Sequence, residues 1–328
     1  MFRRQHAGRR VAAALALAAA SGLAARPVLA CSICRCGDPT FNALGSNIYA
    51  SGRWIVAIDW DRLEKEQGAF EAEGAEGNTR GAASRRAAQQ EEIETITENR
   101  LTAAVSYSFA DRFNLVARVP VSWRELTEEG ETEHGSGLSD PEFYALVRLW
   151  SSNFAPGLGR RAWLSATAGV KTPWGQNDLT EDGVRLDEHV QPGTGSTDLF
   201  GGLSGLYLFD EKSAVFSSVS YRGTGTNDFG YKYGNIVLAN VAYERKFGER
   251  LDTVLELNYR WAGEDVVNPA GVRDPNTGGS VLYITPRVIV GIAGGLVARA
   301  SVQIPVWEDL NGVQDEKPVV NAGLTYVF

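Results

Sequence analysis

The residues best equipped for chemistry lie in one short run, Cys31-Ser32-Ile33-Cys34-Arg35-Cys36-Gly37-Asp38-Pro39, which holds all 3 cysteines of the 328-residue chain. The C-x-x-C-x-C spacing lets three thiolates converge on one ion, and Gly37 eases the turn between them. Soft sulfur donors suit Cu(I), or Zn(II) with a fourth ligand such as Asp38 or the α-amino group. One copper or zinc ion on Cys31, Cys34, Cys36 and Asp38 is therefore the cofactor to expect. Two other chemistries fit the same residues: a disulfide that leaves an odd thiol, and acylation of Cys31 within the lipobox-like Val28-Leu29-Ala30-Cys31. Haem attachment needs a His where Arg35 stands.

What precedes the cluster explains its position. Arg3, Arg4, Arg9 and Arg10 lead into an Ala/Leu run and then Val28-Leu29-Ala30. That is the pattern of a cleaved secretory signal peptide over 1–30, with Cys31 as the new N-terminus. Residues 1–30 hold 5 of the 32 Lys and Arg and none of the 40 Asp and Glu, so the remainder carries 27 − 40, or −13. An acidic exported chain is a poor partner for nucleic acid, whose phosphates call for Lys and Arg.

The elements that must position any site are strands. In Leu101–Trp123 two arms of about ten residues alternate apolar and polar, joined at Ala110-Asp111-Arg112, which reads as a β-hairpin. Strands of that length, ending in aromatics, match a bilayer crossing; soluble strands run about five or six residues. The unit recurs, giving twelve strands: 53–62, the two hairpin arms, 141–150, 162–173, 197–209, 213–223, 235–247, 250–261, 281–292, 296–306 and 318–328. Short connections (110–112, 151–161, 210–212, 248–249, 293–295) rotate with long ones (63–98, 124–140, 174–196, 224–234, 262–280, 308–317). An even count with sorted loops indicates an all-β fold, a transmembrane antiparallel up-and-down barrel over 53–328. Residues 31–52 form an N-terminal segment that could enter the barrel as a plug. Both termini then lie on the periplasmic side of a Gram-negative outer membrane.

The last residues, Leu324-Thr325-Tyr326-Val327-Phe328, resemble the closing strand of Gram-negative outer-membrane barrels. That resemblance implies recognition of the strand ending at Phe328 by the barrel-assembly machinery. Gly137-Leu138-Ser139-Asp140-Pro141, Val170-Lys171-Thr172-Pro173-Trp174-Gly175 and Gly193-Thr194-Gly195-Ser196-Thr197-Asp198 resemble the putative-transporter family named for the MetA pathway of phenol degradation. In that family a Gly-Asp pair stands where this chain has Ser139-Asp140. The resemblance implies a channel for small hydrophobic or poorly defined solutes.

A charge facing lipid at mid-depth costs roughly 2–4 kcal/mol for Arg or Lys. Asp59, Asp61, Arg118, Glu142, Arg148, Lys171, Arg222, Glu244, Asp252, Glu256, Arg260, Arg287 and Arg299 are therefore expected to line the lumen, where they meet water or pair with one another. Trp54, Trp123, Trp163, Trp174, Trp261 and Trp307 are expected in interfacial girdles. Asp178, Glu181, Asp182, Asp187 and Glu188 lack calcium-loop spacing and read as surface acidity. Only His134 and His189 remain after signal removal, both in long loops away from any G-x-S-x-G, so no catalytic residues are assigned. The function expected is an outer-membrane channel or transporter for a small solute, with lipid as its surroundings and a thiolate segment for a soft metal. The alternatives are a membrane-embedded metal or redox scaffold partnering periplasmic proteins, and a rim hydrolase.

Overall fold

The computed structural model describes residues 52–68, 93–110, 112–128, 130–152, 154–155, 159–160, 162–267 and 271–327. The cysteine run with Asp38, the signal segment, most of the 31–52 segment and Phe328 lie outside the described residues. Twelve strands form one closed antiparallel barrel: β1 (Arg53–Gly68), β2 (Ile93–Ala110), β3 (Phe113–Glu128), β4 (Glu142–Ser151), β5 (Ala162–Lys171), β6 (Asp198–Asp210), β7 (Ser213–Gly223), β8 (Ile236–Phe247), β9 (Leu251–Ala262), β10 (Gly279–Ala293), β11 (Leu296–Leu310) and β12 (Val319–Val327). Each pairs with its sequence neighbours, and β12 closes the sheet on β1 from Ile55↔Val327 to Arg62↔Val320. The number and type of strands match the sequence expectation, and closure leaves no sheet edge to satisfy in lipid.

Alternation sets which residues face where. On β3, Phe113, Leu115, Val119 and Trp123 are exposed while Asn114, Ser122 and Arg124 are buried. The outward set is apolar, as lipid requires, and the inward set is largely polar. The closing seam shows how tightly the inner face is fitted. Gly323 lies between Asp59 on β1 and Arg299 on β11, and a Cβ there would come within 2.2 Å of Asp59 Oδ1. Leaving that space empty lets Arg299 Nε reach Asp59 Oδ1 at 3.0 Å across β12, so β1 and β11 are tied over the closing strand through their ion pair.

Two expectations need correction. The strands do not stop where the apolar alternation stops. On β1 the outward residues are Trp54, Val56, Ile58 and Trp60, then Arg62, Glu64 and Glu66, yet pairing with β2 continues to Gly68↔Ile93. Once both faces are polar the hydrophobic period vanishes, but the backbone ladder is indifferent to side-chain polarity. Likewise 124–140 is not an open loop: β3 runs on to Glu128 and turns back through Glu131–Leu138, paired from Val121↔Leu138 to Glu128↔Glu131. A polar wall, joined by Gln314–Glu316 on β1, thus rises past the apolar band on one side. The second correction is Trp163. It sits on the inward register of β5, under the Arg148 guanidinium at 5.7 Å, and does not join a lipid-facing girdle.

Candidate functional site

The long connection between β5 and β6, residues 172–197, does not extend away from the barrel; it folds across the mouth as a strap. Its tip is a two-residue turn between Thr180–Glu181 and Val184–Arg185, with Asp182 at φ 49° and Gly183 at φ 83°. Both central residues being left-handed defines the hairpin turn that Asp-Gly favours. The strap then buries Leu186 and Val190 against Ile96 of β2, Leu126 of β3, and Tyr231 and Tyr233 of the β7–β8 loop. Arg124 Nη1 donates to the Gln191 carbonyl at 2.6 Å, and Tyr233 Oη donates to that of Glu188 at 3.1 Å.

The base of the strap is held by a polar clasp. Asp140 accepts from Gly175 N–H at 2.9 Å, Thr194 N–H at 2.8 Å and Thr194 Oγ1 at 2.6 Å. Lys171 Nζ lies 3.2 Å from Asp140 Oδ2 and 2.9 Å from Asp198 Oδ2, and it also donates to Thr194 and Ser196. Asp198 accepts from Ser196 Oγ at 2.9 Å and from Gly225 N–H at 3.1 Å. Gly175 and Gly193 let the two limbs cross: a Cβ on Gly193 would lie 2.6 Å from the Gly175 carbonyl carbon. The three motifs that carried the family resemblance therefore converge on one carboxylate–ammonium–carboxylate centre. Their charges are buried yet multiply paired, the condition under which a buried ion can be kept.

Below the clasp the inner wall continues the network. Arg222 reaches Glu142 at 2.6 Å, and Arg118 reaches the same carboxylate at 3.3 Å. Glu98 gathers Arg100 at 2.8 Å, Arg124 at 3.5 Å and the Ser122 hydroxyl at 2.7 Å. Across the barrel Arg287 pairs with Glu256 at 2.6 Å, Arg260 pairs with Glu316, and Asp61 accepts from Asn321 at 2.8 Å. All thirteen charged residues picked out as inward-facing are buried or half-buried, Arg118, Arg148, Glu244, Asp252 and Arg260 being half-buried. Sequence reasoning missed Lys65, Glu98, Arg100, Arg124, Asp140 and Asp198, which lie in or next to stretches taken as loop. Extending the inward parity of each strand past its last aromatic would have found the first four.

At the far end of β1 and β2, beyond the apolar band, Gln67, Glu94 and His189 meet. Gln67 Nε2 donates to Glu94 at 2.9 Å, and His189 Nδ1 lies 2.8 Å from Asp187. Burial pushes the Glu94 carboxyl above the usual range, offset only in part by His189 and Gln67. Desolvation works the same way on Asp187, but the His189 ring and backbone N–H, with Arg185, together outweigh it and hold that carboxyl low. His189 thus contacts a carboxylate, the Gln67 amide and Tyr231, whereas His134 is exposed beside Glu125. Neither arrangement is that of a hydroxyl nucleophile and its base. Among the described residues no three His, Cys, Asp or Glu side chains gather as a metal site.

No protein-family model matches the chain, and no curated protein matches its sequence. Solved structures do. An outer-membrane channel from Pseudomonas putida F1 matches with a TM-score of 0.62 and 13% identity, over 85% of this chain and 97% of that one. The transport unit of the autotransporter AIDA-I from Escherichia coli gives a TM-score of 0.48 at 10% identity, over 88% and 95%. The CymD monoaromatic hydrocarbon channel gives 0.43 at 8%, over 85% and 89%. The first of these shows the fold to be that of the outer-membrane β-barrels.

Proposed function

We propose that this chain is a channel of the Gram-negative outer membrane for a small polar solute, with its short turns and both termini periplasmic and its mouth closed at rest by the strap. One observation carries the reading: a closed barrel with an apolar exterior has a charged inner face, and a loop is fastened across it by a dedicated clasp. A barrel that needed only to persist in the membrane would gain nothing from buried ion pairs, since hydrophobic replacements of similar volume are often as stable. The polar wall also argues that the solute is polar, in contrast to the hydrophobic one that the family resemblance implies. Reconstitution in planar bilayers tests this. Discrete conductance steps that grow when residues 178–192 are replaced by a short Gly-Ser linker support the proposal. A silent barrel in both forms would overturn it.

The N-terminal thiolates belong to the same proposal as a finer part. Cys31, Cys34 and Cys36, with Asp38, would follow signal cleavage at the periplasmic entrance, where they would hold one copper or zinc ion. Three thiols at C-x-x-C-x-C spacing in one hexapeptide support this; a disulfide alone needs two. Mass spectrometry of anaerobically purified mature protein should find about one such ion per chain, lost in a Cys34→Ser/Cys36→Ser variant. A metal-free protein whose thiols are oxidised or acylated would reduce the run to a staple or a tether. Stoichiometric metal in a non-conducting barrel would instead favour a metal or redox scaffold serving periplasmic proteins.

A further inference from the structure

The strap brings His189 to the place where β1, β2 and the β7–β8 and β9–β10 connections meet beyond the apolar band, and it buries the ring there. Nδ1 lies 2.8 Å from Asp187 Oδ1. Nε2 lies 3.4 Å from Tyr231 Oη, whose own proton is given to Asp265 Oδ2 at 2.5 Å. Asp265 takes the Gly234 N–H on its other oxygen at 2.8 Å, as an ionised carboxylate does. Both ring nitrogens therefore face oxygens that offer lone pairs. A neutral imidazole has one N–H and one bare nitrogen, whereas the imidazolium has two N–H groups. With the proton on Nδ1, a bare Nε2 is turned to the Tyr231 oxygen. With the proton on Nε2, a bare Nδ1 is set against a carboxylate. Only the charged ring donates on both sides.

The charges around the ring agree. Asp187 and Glu188 stand on the strap itself, Glu94 faces the ring from β2 beside the Gln67 amide, and Asp265 lies behind Tyr231. Glu133, from the Glu131–Leu138 strand, accepts the Asp187 N–H at 3.3 Å. Against these, Lys65 of β1 is held by Gln67 Oε1 at 2.8 Å, and Arg185 of the strap is paired with Glu188 at 2.8 Å. We propose that a proton on His189 fastens the strap, so that the mouth closes in acid and opens as pH rises through the imidazole range. The proposal rests on the channel reading and adds a regulator to it. A docked strap holds the His189 proton more firmly than a released one. Docking is therefore strongest below the ordinary imidazole value of about 6.5, and that gain is lost as pH rises beyond it. Burial lifts the Glu94 carboxyl and works in the same direction. The low-held Asp187 carboxyl works against it only beneath the usual carboxylate value of about 3.9, outside that window.

The test uses the full mature protein in planar bilayers from about pH 5 to about pH 8, the window in which an imidazole changes charge. Mean conductance should rise with pH as strap docking weakens roughly tenfold, the worth of one hydrogen bond to a charged group. Trypsin cleavage after Arg185, scored against an unstructured arginine peptide in the same tube, reads docking without conduction and should rise in step. His189→Gln should flatten both responses. His134→Gln, at the exposed histidine beside Glu125, should leave them as in wild type. Glu94→Gln should keep most of the response, since the ring still faces Asp187 and Tyr231. A ring that merely packs would also not couple its own proton to the clasp. In NMR of histidine-labelled protein, the His189 ring should therefore lose its proton at lower pH in Asp140→Asn than in wild type. Cleavage that follows pH in wild type but not in His189→Gln, in a protein that never conducts, would end the channel reading and leave the switch standing. Conductance and cleavage indifferent to pH, or as responsive in His189→Gln as in wild type, would overturn the switch.

Discussion

Asp140→Asn should free the strap and open the channel. The substitution keeps the volume and one acceptor oxygen, but it removes the charge opposite Lys171 and turns an amide donor toward either Gly175 N–H or Thr194 N–H. Both of those bonds are made now, at 2.9 and 2.8 Å. Removing one partner of a buried pair costs about 3–5 kcal/mol, and the low end applies because Lys171 keeps Asp198 at 2.9 Å. About 3 kcal/mol corresponds to a roughly hundredfold shift toward the undocked strap. Two measurements should move together. Mean conductance should rise, and trypsin should cut after Arg185, which is now held by the Asn177 carbonyl and Glu188. Unchanged conductance and an uncut strap would show that the clasp does not govern the mouth. The barrel should survive, since every ladder on either side of Asp140 is backbone-made.

The clasp also shows what the sequence could and could not disclose. Strand count, membrane character and inward charge came from a period of two with one apolar face, a signal that every lipid-facing segment is obliged to carry. The signal ends where lipid ends. Glu98, Arg100 and Arg124 therefore looked like loop residues, although they are inner-wall residues on polar extensions of β2 and β3. The Asp140, Lys171 and Asp198 motifs were visible as strings, but each was read at its own strand end. Their meeting depends on a 26-residue excursion between β5 and β6 returning to its starting point, which no local pattern records. His189 and Val190 sat in a stretch that composition marks as acidic surface. Tyr231 and Tyr233, which arrive from another loop, make a core there. The thiolate run at Cys31, Cys34 and Cys36 lies outside the described residues, so its chemistry stands on spacing alone.

Gly135→Ala should displace the strap by a different route, and so separate sterics from charge. Gly135 lies in the Glu131–Leu138 strand opposite Arg124, and its backbone is outside the left-handed region, so alanine is locally acceptable. The obstacle is the strap. An added Cβ would lie 2.1 Å from the Val190 carbonyl oxygen and 2.7 Å from Val190 Cγ1. Neither is the far end of a flexible side chain, so Val190 has to lift from its contacts with Ile96 and Leu126. Overpacking of this kind costs about 1–3 kcal/mol, or roughly five- to a hundredfold in strap docking. Conductance and trypsin cleavage should therefore rise as with Asp140→Asn, though less, and without touching any charged group. The double variant decides whether the two contacts hold one element. If clasp and Val190 seat restrain the same strap, adding Gly135→Ala to Asp140→Asn should gain little, because a strap already released has nothing more to lose. Full additivity in the logarithm of strap docking would mean two independently moving segments, and the single-strap account of the closed mouth would fall with it.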